Sequence, residues 1–182
     1  MKHEELSYHV KYYGIKLGVS LVLALFIFLF REPLIEYIKY FIGGLMIIYG
    51  LEEVVHAIYF HGKEFWKQER VFLGYLEILL GGVLLFSPLT IETVCIIWAS
   101  WSILKHSFEI RELVVEIKSW TLTIISGIES IAIIVFSIML ILEPDEHHAM
   151  MHLYLLLVEL FLTPFVPMMD ALFENFHQIK QE

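Results

Sequence analysis

With a single cysteine in 182 residues, the chain can form no internal disulfide and no multi-cysteine metal centre; Cys95, set within an apolar run, reads as a small packing residue. Lysine and arginine together number only 12 and form no basic cluster, so nucleic acid is not an expected partner. There is no Gly-x-Ser-x-Gly elbow, no glycine-rich phosphate loop and no base close in sequence to Cys95, which removes the usual signatures of nucleophilic and phosphoryl-transfer chemistry. An enzyme is the weaker expectation, and no cofactor is expected. What the chain does have is apolar: 58% of residues are hydrophobic and the mean hydropathy is +0.72, more than a soluble surface carries. Its net charge of −9 lies mostly in connecting segments and helix ends, where it stays hydrated. The pattern is that of an all-α polytopic membrane protein, one transmembrane helical domain over residues 1–182, with the lipid bilayer as its first partner.

Six apolar spans are expected, at residues 13–30, 34–60, 71–86, 91–110, 120–142 and 149–173, each compatible with a hydrocarbon core of ~30 Å that needs roughly 17–25 helical residues. The charges of the first sixteen residues are scattered and no small-residue cleavage pattern follows, so the first span is expected to be retained. Pro33, Pro88 and Pro144 mark short turns 55 and 56 residues apart, the spacing of a repeated helical hairpin. Longer polar linkers separate the second span from the third and the fourth from the fifth, which groups the spans as three pseudo-repeated hairpins. Ten lysines and arginines, Lys105 among them, fall on the linker side, against Arg31 and Lys39 on the proline-turn side. Basic residues are retained in cytoplasmic loops. The expected location is therefore the bacterial inner membrane, with both termini cytoplasmic and the proline turns facing outward. Trp66 and Trp120 suit the membrane interface, whereas Trp98 and Trp101 lie deeper, as packing residues. Gly43-Gly44 and Gly81-Gly82 offer small surfaces for close helix approach, within one chain or between the subunits of a homo-oligomer.

Ionisable residues inside a span are expensive in lipid and are expected to face the bundle interior. Glu77, Glu129 and Glu159 lie within the third, fifth and sixth spans. Toward the cytoplasmic ends, Glu53 and His56, His106 and Glu109, and Asp170 with Glu174 project from shared helical faces at spacings of three or four. These define a candidate ion or proton pathway of Glu53, His56, Glu77, His106, Glu109, Glu129, Glu159 and Asp170. Glu129 and Glu159 are equally far from Pro144, so folding at that proline brings them to one depth, where they are expected to share a proton. The Glu-x-x-His motifs match a di-iron bundle poorly, since the second is reversed; no metal site is expected. On the outer side, Glu143, Asp145, Glu146, His147, His148 and His152 form a turn whose imidazoles and carboxylates change charge in mild acid.

The hairpin segments FIGGLMIIYGLEEVVHAIYF, FLGYLEILLGGVLLFSP and IIWASWSILKHSFEI resemble the HdeD family of small bacterial inner-membrane proteins, over most of the chain. That resemblance implies six helices built from short glycine-containing repeats and an association with acid resistance and the stress response. Repeats of two helices run parallel to one another, unlike the inverted repeats of many transporters. Two functions follow as expectations: a membrane protein of stress or acid response that conducts or senses protons or small ions, or a non-enzymatic scaffold that binds partner proteins or lipids.

Overall fold

The computed structural model describes the backbone of residues 3–62, 66, 69–115 and 120–179, and side chains at 11–59, 62, 66, 70–114, 123–169 and 172. Six helices follow one another: α1 (His3–Glu36), α2 (Ile38–His61), α3 (Glu69–Phe86), α4 (Ile91–Val115), α5 (Trp120–Leu142) and α6 (Glu146–Ile179). The described residues contain no strand, and the protein is all-α. Among the described residues, four segments are long and apolar enough to cross a membrane: Lys11–Glu36, Ile38–Tyr59, Thr123–Leu142 and Glu146–Met169. The expected third and fourth spans form as helices but are not among these four: α3 is 18 residues long and carries Glu69, Arg70 and Glu77, and α4 carries Lys105, His106, Glu109, Arg111 and Glu112.

Two of the three proline turns break their helices as expected. Thr90 precedes α4, its Oγ1 accepting the Thr93 N–H at 3.4 Å, and Asp145 plays the same part for α6. The third differs. Helix α1 passes through Pro33 and ends at Glu36, with the reversal at Tyr37. The reason is local: Phe30 leaves the helical region at φ −111°, ψ 19°, so Pro33 falls in the first turn of the segment that follows, where its missing N–H has no partner to lose.

A short turn between two helices does not decide that they pack. The extensive interfaces are α2 with α3, α1 with α6 and α4 with α5, followed by α5 with α6; the turn-connected pairs α1/α2 and α3/α4 touch only slightly. Each extensive interface thus joins an even-numbered helix to the odd-numbered one after it, α6 closing on α1. Glycines bring α2 and α3 together. A Cβ built on Gly81 would stand 2.6 Å from the Gly43 carbonyl oxygen, one on Gly74 would stand 2.8 Å from that of Gly50, and one on Gly50 would collide with the Gly74 carbonyl. Gly44 and Gly82 face open space, so only one member of each expected glycine pair is in contact, joined by Gly50 and Gly74 seven residues along each helix. Backbones this close pack favourably in lipid, where no hydrophobic force drives helix association.

The packed core fills the end of the bundle that bears the turns, where Ile27, Ile42, Met46, Leu84, Trp98, Leu140 and Leu153 are fully buried. Outward faces are apolar too: Ile15, Val19, Val22 and Phe26 on α1, and Ile124, Ile128, Ile131, Val135 and Ile138 on α5, lie exposed at helical spacing, a surface that suits acyl chains. The linker end is polar. Gly50→Ala is expected to lower thermal stability by roughly 1–3 kcal/mol through overpacking, whereas Gly44→Ala leaves it unchanged or slightly raised. Thermal unfolding in detergent checks this, and equal effects at the two positions would disprove the close approach.

Candidate functional site

The site is built on one face of α4, where Trp98, Trp101, Ser102, Lys105, His106 and Glu109 recur at steps of three and four residues and so point inward together. Lys105 is largely buried, and its ammonium donates to a Glu159 oxygen of α6. It also lies 4.8 Å from the centre of the Tyr49 ring and 5.2 Å from that of Trp101, a cation–π setting that replaces part of its lost hydration. His106 is buried beside this pair, with Nδ1 2.7 Å from Glu109 Oε2 and Nε2 3.7 Å from Glu159 Oε2. Farther toward the turns, Ser102 Oγ and His152 Nε2 share a hydrogen bond of 3.2 Å, and the His152 ring meets Trp98 edge-on at 4.5 Å. On the α3 side, Trp101 Nε1 donates to Glu77 Oε1 at 3.2 Å.

Three sequence expectations are corrected here. Lys105 is not an interfacial charge of the cytoplasmic side, because helix periodicity turns it inward toward Glu159. The carboxyl of Glu159 has Lys105 and His106 as its hydrogen-bond and ion-pair partners rather than a proton shared with Glu129, since α4 presents its polar face to α6; Glu129 Oε1 is buried without a hydrogen-bond partner among the described residues. His152 does not belong to the outer turn, for it lies on the same inward face of α6 as Ala149, Leu153 and Leu156 and is 3% exposed.

A cavity of about 370 Å³ enters the bundle from the linker end and reaches Lys105. Four of the sequence-derived pathway residues line it: Glu53, Glu77, Glu109 and Glu129. His106 and Glu159 sit behind Lys105. His56 lies off the lining, its ring 6.4 Å from that of Tyr12, and the Asp170 side chain is outside the described residues. Ser130 Oγ donates to Glu109 at 3.4 Å, while Glu77 Oε2 is buried without a hydrogen-bond partner among the described residues. At the mouth, Arg70 binds Glu112 and approaches Glu53 at 3.3 Å, tying α2, α3 and α4; Lys16 pairs with Glu52 at 2.6 Å, and the Tyr12 hydroxyl donates to the same carboxylate at 2.9 Å. Sequence reasoning missed Tyr49, Trp101 and Lys105 as interior partners. The available signal was the phase of Lys105 with Trp98, Trp101 and Ser102 on one face of α4, a face on which a lysine has to find an acid.

The outer turn is a helix cap. Asp145 Oδ1 accepts the His148 backbone N–H at 2.8 Å and lies 2.9 Å from His148 Nδ1, as an N-cap residue does for the third helical position. His148 Nε2 is 3.6 Å from Glu143, so the cluster of Glu143, Asp145 and His148 is what this cap produces; Glu146 and His147 are exposed. The His148 N–H, and then its imidazole, hold the Asp145 carboxyl below the usual aspartate range.

Two outcomes are expected. A folded-state pKa below the unfolded value near 3.9 means that the cap stabilises fully above about that pH and that its contribution is lost as pH falls through the lower, folded value. Asp145→Ala therefore lowers the melting temperature at neutral pH, and the difference from the native chain shrinks in strong acid; a pH-independent difference would disprove the linkage. In the interior, Lys105→Met leaves Glu159 charged without its cation, at a cost of about 3 kcal/mol or more. The double change Lys105→Met with Glu159→Gln is expected to recover much of that loss, as a double-mutant cycle of thermal stabilities will measure. Additive losses would show that the two side chains are not coupled.

No protein family, curated protein or solved structure matches this chain.

Proposed function

We propose that this protein is a six-span inner-membrane protein of acid or related stress response, which takes up protons or small cations from the cytoplasmic side into a carboxylate-lined half-channel. The observation that carries the proposal is the excess of acid in the cavity. Its lining includes six glutamates against Lys16, Arg70 and Lys105, and each of those three bases already has a carboxylate partner. Glu77 and Glu129 are left with buried oxygens that lack a hydrogen-bond donor, which favours a proton or cation between the bulk and the bilayer interior.

A crossing by α3 in addition to the four long apolar segments is supported by its outward face, where Phe72, Tyr75, Leu79, Val83 and Phe86 are exposed at helical spacing while Glu77 turns inward. The bias of basic residues toward the linkers supports a cytoplasmic position for the cavity mouth. Beyond Lys105 the polar line continues through Glu159 and His106 to Ser102 and His152, then meets the apolar cluster around Val94, Leu140 and Leu153. Protons stop there in this conformation, and separation of that cluster would admit them to the far side. The resemblance to the HdeD family supplies the acid-stress setting.

Purified protein in liposomes with an internal pH-sensitive dye tests the proposal. A pH gradient is expected to collapse faster than in empty liposomes, and Glu77→Gln and Glu129→Gln are each expected to slow this by about tenfold or more while the protein still inserts. Native flux equal to that of empty liposomes, or unchanged flux in both variants, would favour instead a scaffold that binds partner proteins or lipids.

A further inference from the structure

The floor of the polar cavity has two exits, and they meet at one carboxylate. Lys105 and Glu109 both line the cavity, whereas Glu159 and His106 are buried behind them. Glu159 divides its oxygens between the two exits: Oε1 accepts from the Lys105 ammonium, and Oε2 lies 3.7 Å from His106 Nε2. The other ring nitrogen, Nδ1, is 2.7 Å from Glu109 Oε2. One exit therefore runs directly past an ammonium. The other runs from Glu109 through an imidazole to the same Glu159.

We infer that Lys105 is the selectivity-determining residue of this cavity, a fixed positive charge that stops metal cations at the floor, and that His106 carries protons around it. The inference rests on the assignment of the cavity as a half-channel for protons or small cations, and it selects the proton. Three helices hold the ammonium in place: α6 through Glu159, α2 through the Tyr49 ring at 4.8 Å and α4 through the Trp101 ring at 5.2 Å. A sodium or potassium ion drawn in by the glutamates has to approach that charge where little water remains to screen it, and has to give up its own hydration there. A proton meets no such barrier, because it moves by exchange of bonds along carboxylates and imidazoles. Ser130 of α5 donates to Glu109 at 3.4 Å and so orients the carboxylate that starts the relay. With the ring neutral and its proton on Nε2, a proton bound at Glu109 passes to Nδ1 while the Nε2 proton leaves for Glu159 Oε2. One N–H bond forms, another breaks, and the ring ends neutral as its other tautomer.

The full chain in liposomes tests this with two internal dyes, one for pH and one for sodium, while valinomycin and equal potassium on both sides cancel the membrane potential. Both ions must cross the same apolar cluster, so the ratio of the two fluxes reports the floor. The native protein is expected to pass protons and to admit sodium no faster than empty liposomes do. Lys105→Gln together with Glu159→Gln removes the charge without orphaning its partner, and is expected to raise sodium entry about tenfold or more. Lys105→Asn with Glu159→Gln takes its place should that pair fail to insert. His106→Asn is expected to cut proton flux about tenfold or more while sodium stays excluded, a change in ratio that a purely structural role would not produce. Sodium crossing the native protein as readily as protons, sodium still excluded after the charge is removed, or proton flux unchanged in His106→Asn would overturn the inference and leave the half-channel standing. Absence of both fluxes in the native protein would sink the half-channel and the selectivity with it.

Discussion

The ion pair between Lys105 and Glu159 is the constraint on which the rest of the bundle depends. A lysine or a glutamate alone within a lipid-embedded bundle is costly, and removing either partner leaves the other buried and uncompensated. Once the two meet, α4 is fixed in rotation and depth against α6. Helical spacing then sets the remainder: His106 comes beside Glu159, Trp101 reaches Glu77 on α3, and Ser102 reaches His152 on α6. These contacts explain why α4 can be the least apolar of the inner helices. Trp101, Ser102, Lys105 and His106 turn toward neighbouring helices that need them.

A bundle in lipid is held by close backbone approach and by interhelical polar contacts, because water expulsion contributes nothing between acyl chains and leucines. Here the two devices are divided between neighbouring interfaces. The α2/α3 contact uses Gly43, Gly50, Gly74 and Gly81, while α4 binds α3 and α6 through side-chain hydrogen bonds. The division also produces the cavity. Helix pairs locked by glycine cannot shift to fill the space beside α4, and charged side chains that need room and solvation do not close-pack as aliphatic ones do. The apolar end of the bundle therefore packs fully, and the linker end stays open.

The helices were readable because apolar runs and proline breaks act locally: Pro88 and Pro144 with Thr90 and Asp145 carry their own capping chemistry. What was not readable depends on rotation about the helix axis. Equal distance from Pro144 placed Glu129 and Glu159 at one depth, but depth does not say which way a side chain faces, and Glu159 turned to α4. Lys105, five residues from the end of the expected span 91–110, reads as peripheral by a rule that treats basic residues as loop markers, whereas α4 continues to Val115 and carries it inside. His152 followed its histidine neighbours in the sequence reading, whereas its phase with Ala149, Leu153 and Leu156 was the better guide. Gly50 and Gly74 repeat Gly43 and Gly81 at seven residues, a legible signal once two helices are known to be neighbours and an ambiguous one before.

The ion pairs at the mouth differ in kind from the one inside. Arg70 is more than half exposed where it meets Glu112 and Glu53, and a pair in that setting contributes ~0–1 kcal/mol and weakens with salt. Lys105 and Glu159 are only 17% and 7% exposed and are therefore screened far less. Access to the cavity is therefore controlled by contacts that break within thermal reach, while the charge at its floor stays in place. An arrangement of weak outer pairs and a strong inner one lets a cation exchange at the mouth without disturbing the packing of α4. It also confines any larger rearrangement to the boundary between His152 and the apolar cluster, where a single Ser102–His152 hydrogen bond and the edge of Trp98 separate the polar line from the core.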